Sequence, residues 1–168
     1  MRLFVVALLI GTAPVTAFAQ TAGKPASKAT VDSQQRLKSE LPVEDGRDAA
    51  FADRGYLGTL ADPIIKTRDG KPVWNLDAYA WMDGKAPDTV NPSLWRHMNL
   101  LRKHGLYALS DNMWQVRGFD VSNMTVIKGK TGWILIDPFN TRDTAAAALR
   151  LVNEKLGARP VTAVIYSH

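Results

Sequence analysis

The sequence predicts an α/β chain (α+β in its antiparallel part), in which a run of short strands ends in a strand–helix–strand unit and an irregular N-terminal arm leads in. Three observations predict it. Trp133-Ile134-Leu135-Ile136-Asp137 is a short apolar run stopped by Pro138. Ala145, Ala148, Leu149, Val152 and Leu156 then repeat at helical spacing until Gly157,. After Pro160, Val161 to Tyr166 is β-branched and apolar at nearly every position, the pattern of a strand buried on both faces,. Strand, helix and strand of these lengths make a right-handed unit with two parallel strands.

The first 19 residues read as a leader. One arginine precedes the apolar run Leu3 to Ile10, Gly11 and Pro14 break it, and Ala17-Phe18-Ala19 offers a small-x-small cleavage pattern,. Cleavage is expected after Ala19, with export to a periplasm or the medium. No later run approaches the roughly 20 residues of a membrane span. The absence of cysteine fits export and excludes disulfides, thiolate zinc sites and cysteine nucleophiles,.

The rest divides into three zones. Residues 20–46 are rich in Ala, Lys, Ser and Thr and read as a flexible lead-in,. Residues 47–104 read as an arm of short helices and turns, in which Gly and Pro recur and Phe51, Tyr56, Trp74, Tyr79 and Trp81 supply packing area,. In the arm, Asn91 caps a helix with Pro92 at its first position, and Leu94, Trp95, Met98 and Leu101 form its stripe,. His97 and His104 lie seven apart, at its edge. Two turns separate their rings, which favours surface or capping roles over shared ligation.

From residue 105 the period becomes alternating. Leu106 to Leu109, Met113 to Gly118, Met124 to Lys128 and Trp133 to Asp137 read as strands, with Ser110-Asp111-Asn112 and Gly129-Lys130-Thr131-Gly132 as turns,. The Gly-Lys-Thr does not make a phosphate loop, because position 124, where the earlier glycine belongs, is Met and a strand follows,. Asn123-Met124-Thr125 matches a glycosylation sequon by pattern only. The 21 basic and 16 acidic residues give +5, but the positives form no run that could track a phosphate backbone, so no nucleic-acid partner is expected,.

Two polar residues stand at the carboxyl ends of the parallel strands: Asp137 and His168. Ligand crevices of open α/β sheets lie outside those ends, so the two should face one pocket. A plain strand stop at Asp137-Pro138 and a plain strand terminus at His168 are the alternative reading. Arg117 and Asn123 are near in sequence, and solvent or turn roles are expected for them.

From about Asp48 onward the chain resembles the alkyl sulfatases of the metallo-β-lactamase superfamily. The residues that carry the resemblance are Arg54-Gly55-Tyr56, Val90 to Arg96, His104 to Tyr107, Gln115 to Gly118, Asn123 to Thr125, Thr131 to Ile134, Ile136 to Pro138, and Val164 to His168. The resemblance implies an αββα sandwich, of which this chain supplies the first half, residues 105–168 being an incomplete metallo-β-lactamase domain. It implies zinc-dependent hydrolysis of alkyl sulfates such as dodecyl sulfate to alcohol and sulfate, with two zinc ions and a homodimer in the full-length protein. His168 then matches the first residue of a His-x-His-x-Asp-His loop and is a metal ligand, and Asp137 is the buried carboxylate that supports that loop. One imidazole falls short of the three protein ligands typical of catalytic zinc. The chain is therefore expected to be an N-terminal portion, inactive alone, from a broken reading frame or incomplete gene record. Another hydrolase of the superfamily, or a non-catalytic exported binding module whose Trp74, Tyr79 and Trp81 contact an apolar partner, are the competing readings.

Overall fold

Alternation of apolar and polar residues sets the central layer. In the computed structural model, which describes residues 23–40 and 46–167, six strands form one sheet. In chain order the elements are α1 (Lys28–Glu40), α2 (Arg47–Asp53), β1 (Tyr56–Gly58), β2 (Ile64–Lys66), β3 (Pro72–Asn75), α3 (Pro92–Leu101), β4 (Gly105–Ser110), β5 (Met113–Arg117), β6 (Met124–Lys128), β7 (Trp133–Ile136), α4 (Arg142–Leu156) and β8 (Val161–Ile165). The sheet order is β1-β4-β5-β6-β7-β8, antiparallel except for the β7–β8 pair. The leader expected at residues 1–19 and position 168 lie outside the described residues. Among those described, no helix is long and apolar enough to cross a membrane.

One face of the sheet is closed by α4. Leu106, Val116, Met124, Val126, Trp133 and Leu135 point at it from successive strands and are all buried. Ala147, Ala148, Leu151 and Val152 meet them from the helix. Small alanines let the helix approach the sheet closely, and the Trp133 indole N–H donates to Asn153 Oδ1 at 2.9 Å to fix the helix rotation. Thr141 caps α4 by accepting from Thr144 N. Gly132 has no room for a side chain: a Cβ there would lie 2.2 Å from the Pro160 carbonyl oxygen, where β7 and β8 start side by side.

The arm departs from the expected helices and turns. Its β1 extends the main sheet beyond β4, and β2 and β3 form a separate hairpin. That hairpin packs on α4 through Ile65 and Trp74, and the Trp74 indole donates to the Gly118 carbonyl at 2.8 Å. The arm is thus part of the same core, built on three strand segments too short to show a period of two. In α3, Asn91 caps as the sequence predicts, accepting from Ser93 N and Leu94 N. Its apolar stripe is only half buried: Trp95 is inside and edge-on to Trp81, whereas Leu94 and Leu101 stay exposed. His97 is an exposed surface residue.

Two further expectations need correction. The segment read as a flexible lead-in contains a helix, α1, that buries no residue. Ion pairs one turn apart, Lys28 with Asp32 and Arg36 with Glu40, support it, and a solvated helix of that kind leaves no apolar periodicity to read,. The strand expected to be buried on both faces, β8, is exposed at all five positions. It is the sheet edge, paired only with β7 among the described residues. Its apolar composition is real, but nothing among the described residues covers it; Val164 is 44% and Tyr166 70% exposed.

Candidate functional site

The direction of the strands decides which side chains meet. β5, β7 and β8 run the same way, so their carboxyl ends open on one end of the sheet, together with the start of β4. At that end Asp137 follows β7 directly. Its backbone N–H donates to the Ile165 carbonyl at 2.9 Å, continuing the parallel ladder by one step. Its carboxylate then takes both donors of Ser167: the backbone N–H reaches Oδ1 and the hydroxyl reaches Oδ2, each at 2.7 Å. Asp137 is therefore a clamp on the chain leaving β8. The sequence reading expects a buried carboxylate, and the structure makes it half-buried. His168, the other predicted site residue, lies outside the described residues. Its neighbour Ser167 is held at this end.

The turn carrying Asp137 is held in an uncommon conformation. Asp137 has φ 51° and Phe139 φ 67°, both in the left-handed region. Aspartate tolerates that region, whereas a bulky phenylalanine enters it only when its surroundings over-determine it. Phe139 N–H donates to the Asp137 carbonyl at 2.7 Å, closing the turn tightly.

Asp120 is what fixes the far side of that turn. It sits between β5 and β6, only 9% exposed. Its carboxylate accepts from Val121 N at 2.7 Å, Asn140 Nδ2 at 2.9 Å, Thr144 Oγ1 at 2.9 Å and Asn140 N at 3.1 Å. Burial alone pushes this carboxyl up, but those hydrogen bonds outweigh it and hold it below the ordinary carboxylate range,. One acidic side chain thus joins the β5–β6 loop, the β7–α4 turn and the first turn of α4. Sequence reasoning passed over Asp120; Phe119-Asp120 beside an aspartate-free stretch gives no spacing signal, and only the fold shows its partners.

The remaining residues singled out from sequence have other employment. The Arg117 guanidinium lies 4.4 Å from the Tyr107 ring centroid and donates to Gln115 Oε1. Asn123 is exposed in the turn before β6. His104 is bound on both ring nitrogens, to Thr59 Oγ1 at 2.8 Å and to Asp77 Oδ1 at 3.2 Å. It fastens the arm to the start of β4 and is seven residues from, and unconnected to, exposed His97. Among the described residues no three His, Asp or Glu side chains gather into a metal cluster.

Comparison with known proteins finds likenesses in sequence and in fold. Residues 117–168 match the family described as the metallo-beta-lactamase superfamily. The chain is 41% identical over 150 residues to the alkyl/aryl-sulfatase BDS1 of Saccharomyces cerevisiae, covering 89% of this chain and 23% of that protein. It is 41% identical over 152 residues to a linear primary-alkylsulfatase of Pseudomonas sp., covering 89% and 22%. Among solved structures, the stereoselective inverting sec-alkylsulfatase Pisa1 of Pseudomonas sp. superposes with a TM-score of 0.80 at 40% identity, over 86% of this chain and 23% of that one. The chain spans about a quarter of the length of the relatives it matches.

Proposed function

We propose that this chain, a homologue of alkylsulfatases with a metallo-beta-lactamase segment at residues 117–168, is one portion of a zinc-dependent alkyl sulfate ester hydrolase. The reaction adds water to an alkyl sulfate such as dodecyl sulfate and gives the alcohol and hydrogen sulfate. One observation carries the reading. At the shared carboxyl ends of β7 and β8, Asp137 spends both carboxylate oxygens on Ser167, the residue before His168.

A carboxylate used in this way is a positioning group. It holds Ser167, the residue before position 168, at this end of the sheet, which supports the reading of a ligand at the next position,. Two zinc ions, when bound in such an enzyme, supply an activated water and neutralise developing negative charge on the sulfate. The described residues do not themselves fit such a centre. They bring together no cluster of three ligating side chains, and the Asp137 oxygens are engaged. In this reading His168 contributes one ligand, Asp137 orients it, Asp120 locks the turn that carries Asp137, and the remaining ligands come from outside these 168 residues. Export through the segment 1–19 and pairing into a homodimer belong to the same proposal.

The experiment is a transplant. This chain replaces the matching residues of the Pseudomonas linear primary-alkylsulfatase, and sulfate release from dodecyl sulfate is measured. Activity in the chimera, lost on His168→Ala and strongly reduced on Asp137→Ala, supports the reading. A folded chimera that keeps full activity after His168→Ala contradicts it, as does turnover of dodecyl sulfate by the 168-residue chain alone.

A further inference from the structure

At the edge of the sheet opposite β8, the end of α2, β1, the turn after β3 and the junction of α3 with β4 border an open cleft of about 320 Å³. That is the small end of the roughly 300–1,000 Å³ of small-molecule pockets. Four strand spacings, about 19 Å, separate β1 from β7, so the cleft is no part of the Asp137 clamp,. Its charges are matched in pairs. Lys103 binds Asp53 and His104 binds Asp77, each through one carboxylate oxygen. Arg102 spends its guanidinium on Asp83 and on the Tyr79 and Ala80 carbonyls, which pins the turn that carries Tyr79. A cleft so balanced offers an ion little net attraction. It offers directed hydrogen bonds instead, because the second oxygens of Asp53 and Asp77 have no partner among the described residues and stand as acceptors,.

Tyr107 supplies a donor. It is only 2% exposed, yet it borders the cleft, and its hydroxyl makes no hydrogen bond with a described residue. That oxygen is not sealed in either: among the described residues the fully buried side-chain polar atom without a partner is Gln34 Oε1. A buried tyrosine hydroxyl ordinarily finds a partner; this one is left to a partner that enters the cleft. Burial pushes the phenol up, and the Arg117 guanidinium only partly opposes it, so the group keeps its proton to donate,. The walls are aromatic and open. Tyr56 is 50% and Tyr79 48% exposed. Tyr56 lies across Gly105, where a Cβ would come 2.7 Å from its ring, and its centroid is 5.3 Å from that of Tyr107. Unused acceptors, an unused donor and open rings in a cleft without net charge match a neutral ring with hydroxyls on its rim and C–H bonds on its face.

We infer that this cleft binds a neutral sugar residue, its face on Tyr56, its hydroxyls donating to Asp53 and Asp77 and accepting from Tyr107. The inference rests on the cleft alone, and its failure leaves the hydrolase reading where it stands. The test titrates the 168-residue chain with maltose, lactose and methyl mannoside, three neutral sugars of different stereochemistry, and follows backbone amide shifts. Saturable shifts with at least one of them should concentrate on Tyr56, on residues 76–80 and on Lys103 to Tyr107. Tyr107→Phe, which keeps the ring under Arg117 and removes one neutral donor, should weaken binding about fivefold. Asp53→Asn, which removes a charged acceptor, should weaken it about tenfold. His97→Ala, outside the cleft, should leave it unchanged. Glycerol, which has neighbouring hydroxyls and no ring face, should bind more weakly than the sugar. Absence of a saturable shift with all three sugars overturns the inference, as do shifts confined to other residues. Parent-like binding by Tyr107→Phe overturns it too, and that variant decides alone if Asp53→Asn loses the dispersed spectrum of a folded chain. Inorganic phosphate binding as tightly as the best sugar would mean an anion site and overturns it equally.

Discussion

Replacing Asp120 is the perturbation whose size the structure defines best. Its carboxylate accepts four hydrogen bonds, and a bond to a charged group contributes about 1.5–3 kcal/mol. The four are not additive. Val121 N and the Asn140 amide can turn to water, and the Thr144 hydroxyl keeps the Thr141 carbonyl at 3.0 Å. Counting the Asn140 N–H and the loss of charge-assisted character at Thr144, Asp120→Ala should cost about 3–4 kcal/mol and Asp120→Asn about 1.5–3 kcal/mol. Either is a large share of the 5–15 kcal/mol typical of a domain. The pH dependence has a definite sign. Because the folded carboxyl is held below its ordinary value, its contribution is complete above the unfolded value of about 3.9 and disappears as pH falls through the folded one. Urea denaturation at pH 7 and again below pH 4 checks both statements. The gap between the parent and Asp120→Asn should be full at pH 7 and narrow in acid. A loss below about 1 kcal/mol for Asp120→Ala, or a gap that does not narrow on acidification, refutes the assignment of Asp120 as the lock of the turn.

Three further outcomes follow from the same structure. Ser167→Ala and Asp137→Ala should each release the end of β8, read as faster amide hydrogen exchange at Val164 and Ile165 with β4 to β6 unchanged; uniform exchange rates across the sheet would count against the clamp. Leu151→Ala, at a fully buried position under the sheet, should cost about 2–5 kcal/mol in urea denaturation, whereas the same change at exposed Leu94 should cost well under 1 kcal/mol. Gly118→Ala should destabilise strongly. Gly118 has φ 76°, and a Cβ there would sit 2.6 Å from the His104 Cβ; a melting temperature equal to the parent's would show that the arm junction is looser than described.

How legible each part was depended on how far its cause lay along the chain. β5, β6, β7 and α4 could be read almost to the residue, since a period of two or 3.6 over five to fifteen residues needs only local information. The Asn91-Pro92 start of α3 was legible for the same reason. By contrast β1, β2 and β3 have three or four residues each and owe their form to partners far away: Tyr56 pairs with Tyr107, and Ile65 with Trp74 across a turn. α1 was missed because its support is charge pairing without burial. β8 shows the opposite failure. Its apolar run reports the environment the strand is suited to, while its exposure reports which neighbours these residues bring. For the site, a carboxylate at a strand end was legible at Asp137, and its attachment to Ser167 was not. Asp120 could not have been found, because its partners Asn140 and Thr144 are twenty or more residues away and meet it only when β5 and β7 lie in one sheet.

The central claim is that Asp137 positions and His168 ligates. Diffraction at the zinc edge from crystals of the alkylsulfatase chimera carrying this chain measures both at once. The account predicts a zinc peak about 2.0–2.1 Å from a ring nitrogen of His168, with the Asp137 carboxylate still bound to Ser167 and out of coordinating range. A zinc ion coordinated by Asp137, or a His168 ring turned away from the metal, would contradict it.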